Sequence, residues 1–203
     1  MIAEPSLNDK RELILEAAFH AFSEKGYSDA SNLEIARAAG LKSVGLLNYY
    51  FPHKIDLFKA VIRRFSPPMQ LLSRAEELME RPPQEVLPQM VGAYVDLIQH
   101  PQGIAFMRLV MSEAIRSREF GQQVFDQGPN TIFVFLESYM AAQMELGNLR
   151  RANPMLAARS LIGPVLSLAM QQIVKGSAPA AGLDKDEIVT EVVRNFFEGM
   201  NPA

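Results

Sequence analysis

Apolar positions recur with helical spacing along almost the whole chain. Leu15, Ala18, Phe19 and Phe22 share one face of a segment over residues 9–25, and Gly26 is placed to end it. Ser31 followed by Glu34 forms a capping box that predicts a short helix to Ala39, stopped at Gly40. A third short helix is predicted over residues 43–50, because Pro52 forces Phe51 out of helical conformation. From Lys54 onward, Leu57, Phe58, Val61, Ile62 and Phe65 form an apolar stripe. Pro67 and Pro68 then break the helix, and a second piece is predicted from 68 to about 80. Further helices fit residues 84–99, 102–116, 119–146 (with the run QGPN as the place for a break), 154–174 and 184–200. The run KGSAPAAGLD reads as a flexible linker. No period of two and no internal repeat is visible, so the expected class is all-α with about nine helices.

Composition narrows the setting. In 203 residues there is no cysteine, which excludes a disulfide framework and a thiolate metal site and fits a reducing compartment. The first residues lack an uninterrupted apolar region, and no run is long enough to span a bilayer. The expectation is a soluble, cytoplasmic protein that does not engage a membrane. The net charge of −3 speaks against nucleic acid as a partner, but its distribution matters more. Residues 1–66 carry nine Lys/Arg against eight Asp/Glu, and the remainder is acidic. Lys54, Lys59, Arg63 and Arg64 gather just after the third helix.

The three N-terminal helices offer a surface. Ile35, Ala36 and Ala39 pack against Leu47 and Phe51 if the second and third helices cross closely, as small residues and Gly40 permit in a helix-turn-helix. Lys42, Ser43, Val44, Leu46, Asn48 and Tyr49 then lie on or near the outward face. Ser, Lys and Tyr can bond phosphate, Asn can pair with adenine, and Leu or Val can meet a thymine methyl. Lys54, opening the next helix, can add a phosphate contact, reinforced by backbone amides. The plainer reading makes Tyr49, Tyr50 and Phe51 ordinary core.

A resemblance decides between the two. The runs ILEAAFHAFSEKGY (14–27), EIARAAG (34–40) and VGLLNYYFPHKIDLF (44–58) resemble the DNA-binding domain of the tetracycline-repressor (TetR/AcrR) family of transcriptional regulators. The match covers residues 10–58; the rest is similar in architecture, and NPMLAARSLIGPVLSL resembles a common start of that family's penultimate helix. The resemblance implies that Ser31 and Asn32 meet phosphate, that Val44, Leu46 and Tyr49 face bases or sugars, and that Asn48, Tyr50 and Lys54 hold the DNA backbone. The sequence departs from the pattern in two places. LKS stands where two residues are usual, lengthening the turn that holds Lys42 and Ser43, and Asn48 replaces a tyrosine. The implied organisation is a DNA-binding domain over 1–53 and a ligand-binding and dimerisation domain over 54–203.

The C-terminal part extends this expectation. Residues 154–174 are apolar almost all round, and Ile188, Val192, Val193, Phe196, Phe197 and Met200 give the last helix a broad stripe. Pairing through these two helices is predicted, with Leu161, Val165, Leu168, Val192 and Phe196 at a homodimer interface that presents two reading heads to an inverted repeat in double-stranded DNA. Met69, Leu72, Met90, Tyr94, Phe106, Met107, Val110, Met111, Phe133, Tyr139 and Met140 mix thioethers with aromatics and suit an apolar or aromatic small effector. Tyr94 and Tyr139 would be its polar handles. Glu113 is a further ligand partner or, on the plainer reading, a local cap or ion pair. The break at Pro67 and Pro68 is the candidate coupling element. The histidines 20, 53 and 100 are scattered, and no nucleotide loop or metal-spaced set occurs, so neither catalysis, a cofactor nor a metal is expected. The expected function is a ligand-released repressor; the rival is a helical adaptor that binds protein through the same N-terminal domain.

Overall fold

The computed structural model describes residues 7–176 and 183–201. Among them are twelve α-helices, one 3-10 turn and no strand. Most of the expected linker, residues 177–182, lies outside the described residues. Among those described, no helix is long and apolar enough to cross a membrane. Contacts group the chain into two compact units. The first holds the described residues up to Phe65 together with Ala105–Val124; the second holds Ser66–Ile104 and the described residues from Phe125 onward.

The first unit contains α1 (Leu7–Asp29), α2 (Asn32–Ala38), α3 (Val44–Tyr50), α4 (Lys54–Phe65), most of α8 (Pro101–Arg116) and the start of α9 (Arg118–Gln127). Regular α1 geometry stops at Gly26, whose φ of 83° and ψ of 166° suit glycine alone. The expected face of α1 is the buried one: Ile14, Leu15, Ala18, Phe19 and Phe22 pack with Leu57, Phe58 and Val61 of α4. An aromatic cluster closes the end of this core. Tyr27 lies 5.1 Å from Phe58 and 4.3 Å from Phe120, ring centre to ring centre. Such pairs add roughly 0.5–1.5 kcal/mol each beyond area burial.

The second unit contains α5 (Pro67–Leu71), a 3-10 turn (Leu72–Arg74), α6 (Ala75–Met79), α7 (Pro83–Gln99), α10 (Pro129–Glu145), α11 (Pro154–Lys175) and α12 (Lys185–Met200). The helix break expected at the two prolines is present, with Pro67 and Pro68 opening α5. The single piece expected to 80 is divided by the 3-10 turn. Ten residues of straight α-helix would leave the buried Pro68 and Leu78 about 80° apart around the axis. Three residues at 3-10 pitch bring them to within about 20°. Residues 119–146 divide at Gly128, and Pro129 opens α10, where a missing N–H costs nothing. α7 packs on α5, α11 and α12, and α10 packs on α11. Lys185 of α12 donates to both oxygens of Asp96 on α7, at 2.7 and 2.8 Å.

Candidate nucleic-acid interface

The segment from Ala30 to Tyr50 is held by caps and one hydrophobic seam. Ser31 Oγ accepts the Glu34 amide at 3.2 Å while Glu34 Oε2 accepts the Ser31 amide at 3.2 Å, completing the capping box. Glu34 also accepts from Lys25 Nζ at 2.8 Å, which ties α2 to α1. The Lys25 hydrogen bond, the Ser31 amide and the Lys25 charge hold the Glu34 carboxyl down at about 2. At the far end of α2, Gly40 donates to Arg37 O and Leu41 to Ala36 O, at 3.0 and 2.9 Å. With Gly40 at φ 68°, this is a Schellman end, and it turns the chain toward α3. Lys42 and Ser43, in the turn that is one residue longer than usual, follow it and are exposed. Ser43 caps α3 by accepting the Leu46 amide.

The seam and the outward face match the expected division. Ile35, Ala36, Ala39, Leu47 and Phe51 are buried together. Asn48 and Tyr49 are exposed, Tyr49 at 74%, and Val44 and Leu46 are half-buried at the edges. The cap roles leave the hydroxyl protons of Ser31 and Ser43 free to donate, since each oxygen acts there as an acceptor. Three residues behave differently from the implied contact set. The side-chain oxygen Oδ1 of Asn32 and the hydroxyl of Tyr50 are buried without a hydrogen-bond partner among the described residues, so neither faces outward. Lys54 Nζ donates to Ser28 O at 3.1 Å and lies 4.8 Å from the centre of the Tyr27 ring. Burial lowers its pKa, opposed by Glu113, Asp29 and Glu34. Leu33 and Arg37, both exposed on α2, were not among the expected contacts. Their spacing of four, opposite Ile35, Ala36 and Ala39, is the sequence signal that marks that face.

The other predicted residues are spread across the molecule. Phe106, Met107, Val110 and Met111 belong to the first unit; Met69, Leu72, Met90, Tyr94, Phe133, Tyr139 and Met140 belong to the second. Phe106 packs on Phe19, with ring centres 6.2 Å apart. Tyr94 is buried, and burial raises its pKa. Tyr139 is fully buried, and its hydroxyl donates to Arg81 O at 2.7 Å, so that polar handle is already occupied. An open groove of about 500 Å³ between α5, α7 and α12 is lined by Pro67, Leu71, Pro88, Asp96 and Lys185 among others; none of the eleven expected effector residues lines it. Glu113 accepts the Tyr27 amide at 3.2 Å and lies 3.6 Å from Arg116, which makes it an internal anchor.

On α11 and α12, Leu161, Val165 and Phe196 are buried within their own unit, whereas Leu168 and Val192 are half-exposed. The open side of α11 carries the exposed Leu156, Ser160, Ser167, Met170 and Val174 and the half-buried Gly163. Their spacing alternates four and three, a continuous stripe of apolar and small side chains.

Comparison with known proteins agrees over both parts. Residues 14–61 match the family profile described as "Bacterial regulatory proteins, tetR family", and residues 85–199 match "AefR-like transcriptional repressor, C-terminal domain". The HTH-type transcriptional regulator SrpR of Pseudomonas putida is 28% identical over 107 residues, covering 53% of this chain and 48% of that protein. The chain spans about half the length of the curated relatives it matches. A TetR-family regulator structure from Mesorhizobium loti superposes with a TM-score of 0.73 at 23% identity, over 98% of this chain and 100% of that one. The flavonoid-responsive regulator FrrA superposes with a TM-score of 0.63 at 25% identity, over 96% and 98%.

Proposed function

The chain belongs to the tetR family of bacterial regulatory proteins, and from that premise we propose that it is a homodimeric, cytoplasmic, DNA-binding repressor of transcription, released from an inverted-repeat operator by a small apolar or aromatic effector. In this reading residues 1–53 read DNA, and residues 54–203 bind the effector and pair. One observation carries it: α3 buries Leu47 completely while leaving Tyr49, two residues on, 74% exposed beside Asn48, Ser43 and Lys42. A seven-residue helix held by a cap and one seam, with hydrogen-bonding groups facing out, suits entry into a major groove.

Lys42, Ser43 and Ser31 would meet phosphate, Asn48 and Tyr49 base edges or sugars, and Val44 and Leu46 the rim. Asn32, Tyr50 and Lys54 would support the head from within. Pairing would bring the exposed stripe of α11 against its own copy, with Leu168 and Val192 at its border. The repressor role is supported by the profile matched at 85–199, and an aromatic effector class by the resemblance to a flavonoid-responsive regulator.

In vitro selection from a random DNA pool tests the reading. The expected product is a two-fold symmetric site whose binding weakens steeply with salt. Tyr49→Ala is expected to weaken that binding by about 1–3 kcal/mol with unchanged thermal stability. A pool with no enriched sequence would remove the DNA-reading function.

A further inference from the structure

Glu113 of α8 reaches the bend at Gly26, where the last residues of α1 turn toward α2. Glu113 is 5% exposed, and its Oε1 accepts the Tyr27 amide at 3.2 Å. The fit is close: a Cβ built on Gly26 would stand 3.0 Å from that same oxygen. The turn in turn holds the head. Tyr27 carries the Lys54 ammonium over its ring, and the carbonyl of Ser28 accepts from it at 3.1 Å. Lys54 opens α4, four residues after the end of α3. A chain of direct contacts therefore runs from Glu113 through Tyr27 and Ser28 to the residue that follows the exposed helix.

We propose that Glu113 is a positioning residue for DNA binding, acting through the Tyr27 amide to fix the α1–α2 turn and, through Lys54, the attitude of α3. The chemistry favours this over simple packing. A buried acidic side chain is expensive unless it is bonded, and Glu113 accepts the Tyr27 amide at 3.2 Å with the exposed Arg116 farther off at 3.6 Å. An aliphatic side chain would fill the space more cheaply. What Glu113 adds is a directional bond that exists only when α8 and the turn are in register. Displacing α8 along or about its axis breaks that bond, so the same contact gives the first unit a means to lower DNA affinity without unfolding.

This inference rests on the DNA-reading function, and its test keeps the two apart. The full-length chain is first used to select a DNA site, so a chain that selects none fails the earlier reading before this one is reached. Affinity for that site is then measured by fluorescence anisotropy for the wild type, Glu113→Gln, Glu113→Asp and Glu113→Ala, each corrected for its active fraction. Glutamine keeps a carbonyl oxygen at the same reach, whereas aspartate keeps the charge and withdraws the oxygen by one methylene. The expected result is affinity about tenfold weaker for the alanine and aspartate variants and close to wild type for glutamine. Faster hydrogen exchange at the Tyr27 amide should accompany the loss. Wild-type affinity in the aspartate variant, or a glutamine variant as weak as alanine, would overturn the proposal.

Discussion

α3 and α11 each bury one side and expose the other, but their exposed sides follow opposite rules. On α3 the open face carries Ser43, Asn48 and Tyr49, groups that hydrogen-bond to water as readily as to a ligand. On α11 it carries Leu156, Met170 and Val174, the last 77% exposed, with Ser160 and Ser167 between them. Its large apolar side chains gain nothing from water and gain by being covered. The first face is complete alone and can release what it touches. The second gains from being covered, which suits the standing interface proposed for it.

The sharpest test of the comparison is to cross from the open to the closed side of each helix. Leu47 on α3 and Leu161 on α11 are both fully buried, so Leu47→Ala and Leu161→Ala should each cost roughly 2–5 kcal/mol in chemical denaturation. A loss well under about 1 kcal/mol at either site would mean that the buried side is misassigned. A smaller effect is expected on the open side of α11. Val174→Asp puts a carboxylate without a partner into the proposed interface and should raise the dimer dissociation constant by about ten- to a hundredfold in sedimentation. An unaltered constant would remove α11 from the interface. The smallest effect lies at the border of the reading head. The Glu34 carboxyl sits at about 2 in the folded chain against an ordinary 4.5, so its contribution is complete above pH 4.5 and is lost as pH falls toward 2. The protection factor of the Ser31 amide, its exchange rate relative to the intrinsic rate at each pH, should therefore hold at pH 5 and fall only below about pH 4.5. Because the pair with Lys25 is exposed, salt should shrink the effect. A carboxyl titrating near 4.5 would show that the capping contact does not persist in solution.

Helix limits were legible wherever one residue enforces them: Ser31, Gly40, Pro52, Pro67 and Pro129 each act on their own neighbours. The outward face of α3 was legible for the same reason, since burial of Leu47 and Phe51 leaves few other choices. What escaped the sequence depends on distant segments. Lys54 reads as a free phosphate ligand until Ser28 and Tyr27 are seen beneath it. Glu113 is 86 residues from the amide that it accepts. On α11, apolar residues all round cannot say which side meets the protein's own core. Periodicity therefore named Leu161 and Val165 for the interface, whereas those two are enclosed at home and Met170 and Val174 stand open.

Gly26 and Gly40 both have positive φ, yet their tolerance of change should diverge. Nothing lies within 4 Å of a Cβ at Gly40, so asparagine would fit there with modest strain. At Gly26 the backbone conformation and the crowding by Glu113 forbid any side chain at once. In a library of point variants, position 26 would behave as a lock with one key, and position 40 as a preference.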